Sequence, residues 1–272
     1  MKQRITTLFV GGLLALTLIG AAAAGQLEDG QAAAQRGEYA EAMRLWAPLA
    51  EQGNALAQID LGLLYYNGQG VQQDYAQAAM WWLDAAGQGY PNAQNSLGLM
   101  YYNGQGVQQD YEQAMLWFRK AAEQGDAEAQ NNLGTMYAQG FGAPRDYAQA
   151  HVWFRKAVDQ GDSKAQVNLG RMYAEGDGVP QDYARAAMWW REAAEQGYPN
   201  AQNDLGLMYA QGHGVPQDYV LAHMWFNLAA SRASDAAVRD MAIENRDHAA
   251  AMMTPAQIGE AQQMEREWRI TN

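Results

Sequence analysis

Residues Ala93–Gly125 read AQNSLGLMYYNGQGVQQDYEQAMLWFRKAAEQG. Nearly the same letters stand one step earlier, from Ala57 to Gly89, as a recent duplication would leave them. Looser copies follow. Asp-Tyr recurs at Asp74-Tyr75, Asp110-Tyr111, Asp146-Tyr147, Asp182-Tyr183 and Asp218-Tyr219, each 36 residues after the last. Leu-Gly keeps the same step from Leu61-Gly62 to Leu205-Gly206, and Ala-Gln from Ala57-Gln58 to Ala201-Gln202. A fixed period of this length is the mark of a stacked repeat architecture. Five repeats are expected over 54–233. Tyr39 and Trp46 hold the places of Tyr75 and Trp82, so 25–53 is expected to be a half repeat or cap.

Each repeat predicts two helices. Helix A covers about 54–66 and its equivalents, and a Gly-x-Gly turn such as Gly104/Gly106 ends it, because glycine tolerates the left-handed backbone of a helix C-cap. Helix B opens at the repeated Asp, a good N-cap. A Gly-x-Gly also occurs in phosphate-binding loops, but those need a preceding strand. No strand pattern exists here, so the turns read as punctuation.

Comparing the copies separates packing positions from free ones. At about 100° per residue, the near-constant positions 57, 58, 61, 62, 64 and 65 of helix A share one face. So do 75, 78, 81, 82, 85 and 86 of helix B, where aromatic pairs such as Trp117-Phe118 alternate with alanine. Large-into-small spacing of this kind predicts a core rather than a sugar-stacking platform. The free face of helix B carries charge, including the i,i+4 pairs Arg119/Glu123, Arg155/Asp159 and Arg191/Glu195, as a solvated wall would. The free face of helix A is almost uncharged. That face is the expected recognition groove, with Ile59, Leu63, Tyr66, Asn95, Leu99, Tyr102, Asn131, Arg171, Asn203 and Leu207 as candidate partner-binding residues. Asparagine amides there would pair with a bound backbone, and Arg171 with a carboxylate.

These residues resemble the Sel-one-like repeat, a relative of the tetratricopeptide repeat, over about 31–232. The resemblance implies an all-α fold, a right-handed α/α superhelical solenoid of helix–turn–helix repeats with the A helices on its concave side. It also implies an adaptor that holds protein complexes together. Bacterial secreted members are often tied to envelope assembly, motility, exopolysaccharide control or host contact. One secreted branch has a disulfide in every repeat and has been linked to penicillin binding. This chain has no cysteine and departs from that branch.

After 233 the period breaks. Residues 235–253 predict a long helix, and Thr254-Pro255 an N-cap and N1 pair opening another through about Trp268. Residues 234–272 are expected to cap the solenoid, with a polar outer face.

At the N-terminus, Lys2 and Arg4 precede an apolar run from Ile5 to Ile19 and then Ala21–Ala24. That is the pattern of a secretory signal peptide over 1–24; an uncleaved anchor is the alternative, since Ile5–Gly25 carries no charge. Either way a periplasmic or secreted location is expected, with no membrane insertion once the leader is removed. The formal net charge of −12 argues against nucleic acid and anionic lipid as partners.

No catalytic, metal or cofactor site is expected. None of the four serines of the expected mature chain opens Ser-x-x-Lys, and His151, His213, His223 and His248 form no His-Glu-x-x-His; His151 and His223, at one position of helix B at the edge of its packed face, read as partly exposed surface. The expected function is non-enzymatic: an envelope scaffold that binds a protein or peptide as a monomer. The alternatives are a virulence or host-contact factor and a binder of envelope glycan.

Overall fold

The computed structural model describes residues 23–271, and most of the expected leader lies outside them. All regular structure in this range is helical. The chain divides into two compact units, one ending at Asp126 and one starting at Ala127. The first holds α1 (23–35), α2 (Tyr39–Glu51), α3 (Ala55–Asn67), α4 (Tyr75–Gly87), α5 (Pro91–Asn103) and α6 (Tyr111–Glu123). The second holds α7 (Ala127–Gln139), α8 (Tyr147–Val158), α9 (Ser163–Glu175), α10 (Tyr183–Glu195), α11 (Pro199–Gln211) and α12 (Tyr219–Arg232). It ends with α13 (Ala236–Ala250) and α14 (Pro255–Thr271). Within each unit, helix A packs on helix B of its own repeat and helix B on the next helix A. The fold is an all-α helical repeat solenoid.

Local chemistry sets the helix ends. Asp74, Asp110, Asp146, Asp182 and Asp218 each accept backbone N–H bonds at the first turn of a B helix. Asn54 and Asp162 do the same for α3 and α9, while α5 and α11 start with proline instead. Gly104 ends α5 with φ of 68°. Gly106, at φ 69°, lies flat on the start of the preceding B helix, where a Cβ would stand 2.6 Å from the Ala76 nitrogen. Both glycines of the turn are therefore required, one for its dihedral and one for close approach as well.

The repeated Leu-Gly is the packing key. A Cβ on Gly98 would meet the Phe118 ring at 2.7 Å, and one on Gly134 the Phe154 ring at 2.7 Å. Each A-helix glycine is thus the socket for the second aromatic of its B helix. Where that aromatic is tryptophan, its indole N–H also donates to the A helix: Trp82 to the Ile59 carbonyl and Trp190 to that of Val167, both at 3.1 Å.

The repeated Gln of Ala-Gln explains itself in the same way. Gln58, Gln94 and Gln202 donate from Nε2 to the carbonyls of Ala50, Ala86 and Ala194 near the end of the preceding B helix. Their neighbours complete a relay. Gln88 donates to Gln58 Oε1, Gln124 to Gln94, Gln160 to Gln130 and Gln196 to Gln166, at 2.8–3.0 Å. Buried amides are thereby satisfied without leaving the repeat period.

Three expectations change. The segment expected to be a half repeat forms a complete helix pair, α1 and α2. A Cβ on Gly30 would lie 2.7 Å from Trp46 Cδ1, and the Trp46 indole donates to the Leu27 carbonyl. Gly30 stands 32 residues before Gly62, so the first turn is four residues shorter and the 36-residue step skips it. The B helices also show apolar groups to solvent, with Met80, Leu116, Val152 and Met188 at one repeat position and 43–60% exposed. His223, expected at a partly exposed edge, is buried, because α12 is also covered by α13 and α14.

Candidate functional site

The candidate residues of helix A divide by burial. In unit 1, Leu63 is exposed, and Ile59 and Leu99 are half-buried. Tyr66 is half-buried against Tyr75 and Trp82, and its hydroxyl donates to Gln105 Oε1 at 3.2 Å. Tyr102 packs edge-on against Tyr111, and burial raises its phenol pKa above the ordinary value. In unit 2, Arg171 is exposed, and Leu207 is half-buried beside Phe226.

The asparagines are a correction. Asn95 and Asn131 are 5% exposed and Asn203 is 1% exposed, so they are interior groups rather than amides displayed to a ligand. Asn131 Oδ1 accepts from Asn168 of the next A helix, and Asn203 Oδ1 accepts from Asn245 of α13, both at 2.9 Å. Asn131 thus joins α7 to α9, and Asn203 joins α11 to α13. Position 59 and its equivalents sit where one A helix meets the next, so their identity varies with the neighbour and not with a ligand. The tryptophans are a second clarification. Trp82, Trp117, Trp189, Trp190 and Trp225 are at most 9% exposed and offer no platform for stacking a sugar.

One open region of unit 2 lies between α9, α11 and α13. A cavity of about 470 Å³ is lined by Val167, Arg171, Ala174, Glu175, Trp190, Asn200, Asp204, Val238 and Met241. A second, of about 270 Å³, shares Arg171 and Glu175 and reaches Ala138 and Asp177. A third, of about 230 Å³, shares Asn200 and Val238 and reaches Tyr198 and Asp235. Arg171, which donates to Asn168 Oδ1 at 3.2 Å, stands between the first two. Of the sequence candidates, only Arg171 lines this chain of cavities. Asp204 lies on the same variable face and is legible as an acid where Asn132 and Asn168 stand in sister repeats. Val238 and Met241 come from the aperiodic α13, and no sequence signal points to them.

Asp204 is held in an unfavourable place for a carboxylate. Burial raises its pKa from 3.8 to about 6, against the pull of nearby Arg171. Asp60, at the same repeat position in unit 1, is also raised to about 6 by burial. A raised carboxyl pKa means the folded chain binds its proton more tightly. The resulting stability is full below about pH 4 and lost as pH rises through about 6. Asp204→Asn is therefore expected to raise stability at pH 7.5 by about 1–2 kcal/mol, discounted for partial exposure, and to change little at pH 4. Urea unfolding at the two pH values measures this.

Nothing in the described residues gathers three His, Cys, Asp or Glu side chains around a metal position. His151 pairs with the Tyr173 hydroxyl at 3.3 Å, and His223 Nδ1 is buried without a partner. No described helix is long and apolar enough to cross a membrane.

The Sel1 repeat family model matches residues 55–90, 91–126, 127–162, 163–198 and 199–234, in register with the helix pairs. The chain belongs to the Sel1 repeat family. Sel1 repeats generally mediate protein–protein interaction, and the family is generally a non-catalytic scaffold. Among solved structures, a protective antigen of uropathogenic Escherichia coli with this repeat fold is 36% identical, with a TM-score of 0.73. The alignment covers 89% of this chain and 56% of that protein, so the chain spans little more than half its length. A Sel1 repeat protein from Oxalobacter formigenes is 34% identical, with a TM-score of 0.69, over 78% of this chain and 87% of that one. No curated protein matches the chain.

Proposed function

We propose that this Sel1 repeat chain is an adaptor of the bacterial envelope, working in the periplasm or outside the cell, and that it captures a partner protein on the A-helix face of its repeats. The observation that carries this reading is the chain of cavities on unit 2. They open between successive A helices, where the repeat core does not close, and the exposed Arg171 lines two of them. Pockets that leave a few polar groups among apolar walls are where partners bind. The expected leader supports the location.

A photo-crosslinking amino acid placed in turn at Leu63, Arg171 and Leu207, and on the opposite side at Met80 and Met188, tests the reading in cells. Adducts from the A-helix positions alone are expected. Adducts from Met80 and Met188 alone would refute it. The resemblance to a protective antigen favours a second reading, contact with a host surface from outside the cell. Fractionation separates the two, since that reading requires the chain at the cell surface or in the medium.

A further inference from the structure

The charges along the unit 2 cavities are unequal. Glu175, Asp177, Asp204 and Asp235 line them, against Arg171 alone. That guanidinium is already engaged with Asn168. The cavity of about 470 Å³ adds a shape to this charge. Its lining joins the apolar Val167, Ala174, Val238 and Met241 to the polar Asp204, Glu175, Asn200 and Arg171.

We infer that this face takes an extended segment of basic character, and that the cavity beside Asp204 holds the stem and the cationic head of one lysine or arginine side chain. The inference rests on reading the A-helix face as the binding surface, and it names the chemistry of the partner. A long basic side chain suits the cavity because it buries methylenes along apolar walls while its head meets a carboxylate. An acidic segment would meet a surplus of like charge. An apolar anchor would cover Asp204 further and bring it no additional cation, which is costly for a carboxylate already poorly solvated. A cation instead gives it a charge-assisted partner.

The sister repeats carry the same point. Asn132 and Asn168 occupy the position of Asp204, so the fold accepts a neutral amide there. Asp60 is an acid at the same position in unit 1, and Asp204 is the one of the two that lines this cavity. The charged groups that share this cavity with Asp204 are Arg171 and Glu175 from α9; Trp190, Asn200, Val238 and Met241 are uncharged, and the Asn203 side chain, beside the Asp204 carboxyl, favours its charged form. Asp204 is raised to about 6, so it is charged at pH 7.5 and neutral at pH 5.

Three fluorescent peptides of one length test the inference by anisotropy on the full chain: alternating alanine and arginine, the same with neutral citrulline, and the same with glutamate. The arginine peptide is expected to bind most tightly at pH 7.5. Asp204→Asn is expected to weaken it about tenfold, to the level of the citrulline peptide. Moving to pH 5 should do the same to the unmodified chain and nothing to the variant. Arg171→Gln should hold or raise the affinity, because it removes the competing cation. Equal binding of the three peptides, protecting α9, α11 and α13 from hydrogen exchange, would overturn the basic specificity and leave the binding face standing. Protection confined to B helices, or no binding by any peptide, would overturn both.

Discussion

Valine at Gly134 is expected to destabilise unit 2 by about 3 kcal/mol, seen as a lower urea midpoint with an unchanged slope. The reason is local and geometric. A Cβ at this site stands 2.7 Å from two carbons of the Phe154 ring, closer than side chains approach one another. Phe154 is fully buried, so the ring has nowhere to retreat. Relief must come from separating α7 and α8, which opens the core along their length. Gly259 supplies the contrast. It also lies in a helix, α14, but nothing is within 4 Å of its would-be Cβ. Gly259→Ala is expected to stabilise by about 0.5–1 kcal/mol, the ordinary gain in helix propensity. If both substitutions had the same sign, the socket account of the Leu-Gly motif would be wrong.

Removing α14, by ending the chain at Met253, is expected to release the last repeat. Met224 shows what the helix covers. Its equivalents Met80, Leu116, Val152 and Met188 are 43–60% exposed, while Met224 is 4% exposed. Met264 and Trp268 of α14 pack on that core, with the Trp268 and Trp225 rings 6.0 Å apart. Glu265 is buried, bonds to Asn227 and pairs with Arg269, which in turn donates to Ser231. Loss of these contacts should weaken α12 and α13 by about 4 kcal/mol, or roughly a thousandfold in their amide exchange. Exchange in α9 should change little, because a repeat depends mainly on its neighbours. Uniform acceleration through unit 2 would show instead that it unfolds as one piece.

The fold is legible in the sequence because each repeated letter plays a local part. Asp caps a helix, Gly turns the chain or makes a socket, and Gln joins helices. Those parts show as periodicity without coordinates. The binding face is harder to read. Variation between copies implies freedom from packing, which suits Leu63 and Arg171. It misplaces Asn131 and Asn203, whose partners Asn168 and Asn245 lie on the next helix of the A row and change with them. Position 60 and its equivalents stay inconspicuous, since a charge there gains meaning only once its burial is known. The first helix pair is half hidden because a turn four residues shorter defeats a fixed step. The contribution of α13 to the cavities has no periodic trace at all.

The glutamine relay bears on how such a chain changes in length. Each repeat but the last brings one amide at its start and another at its end, and these bonds join one block to itself or to the block before it. A gene segment encoding one whole block, copied or lost in frame, therefore leaves no orphaned amide at the new join. Copy number is free to drift while the joints stay intact, and the near-identity of 57–89 and 93–125 is what a late copying event would leave. Gln202 marks where this stops. Its Oε1 is buried without a partner, because Arg232 stands where the next glutamine would be. That vacant acceptor is the scar of the last block, and any further block would have to be inserted upstream of it.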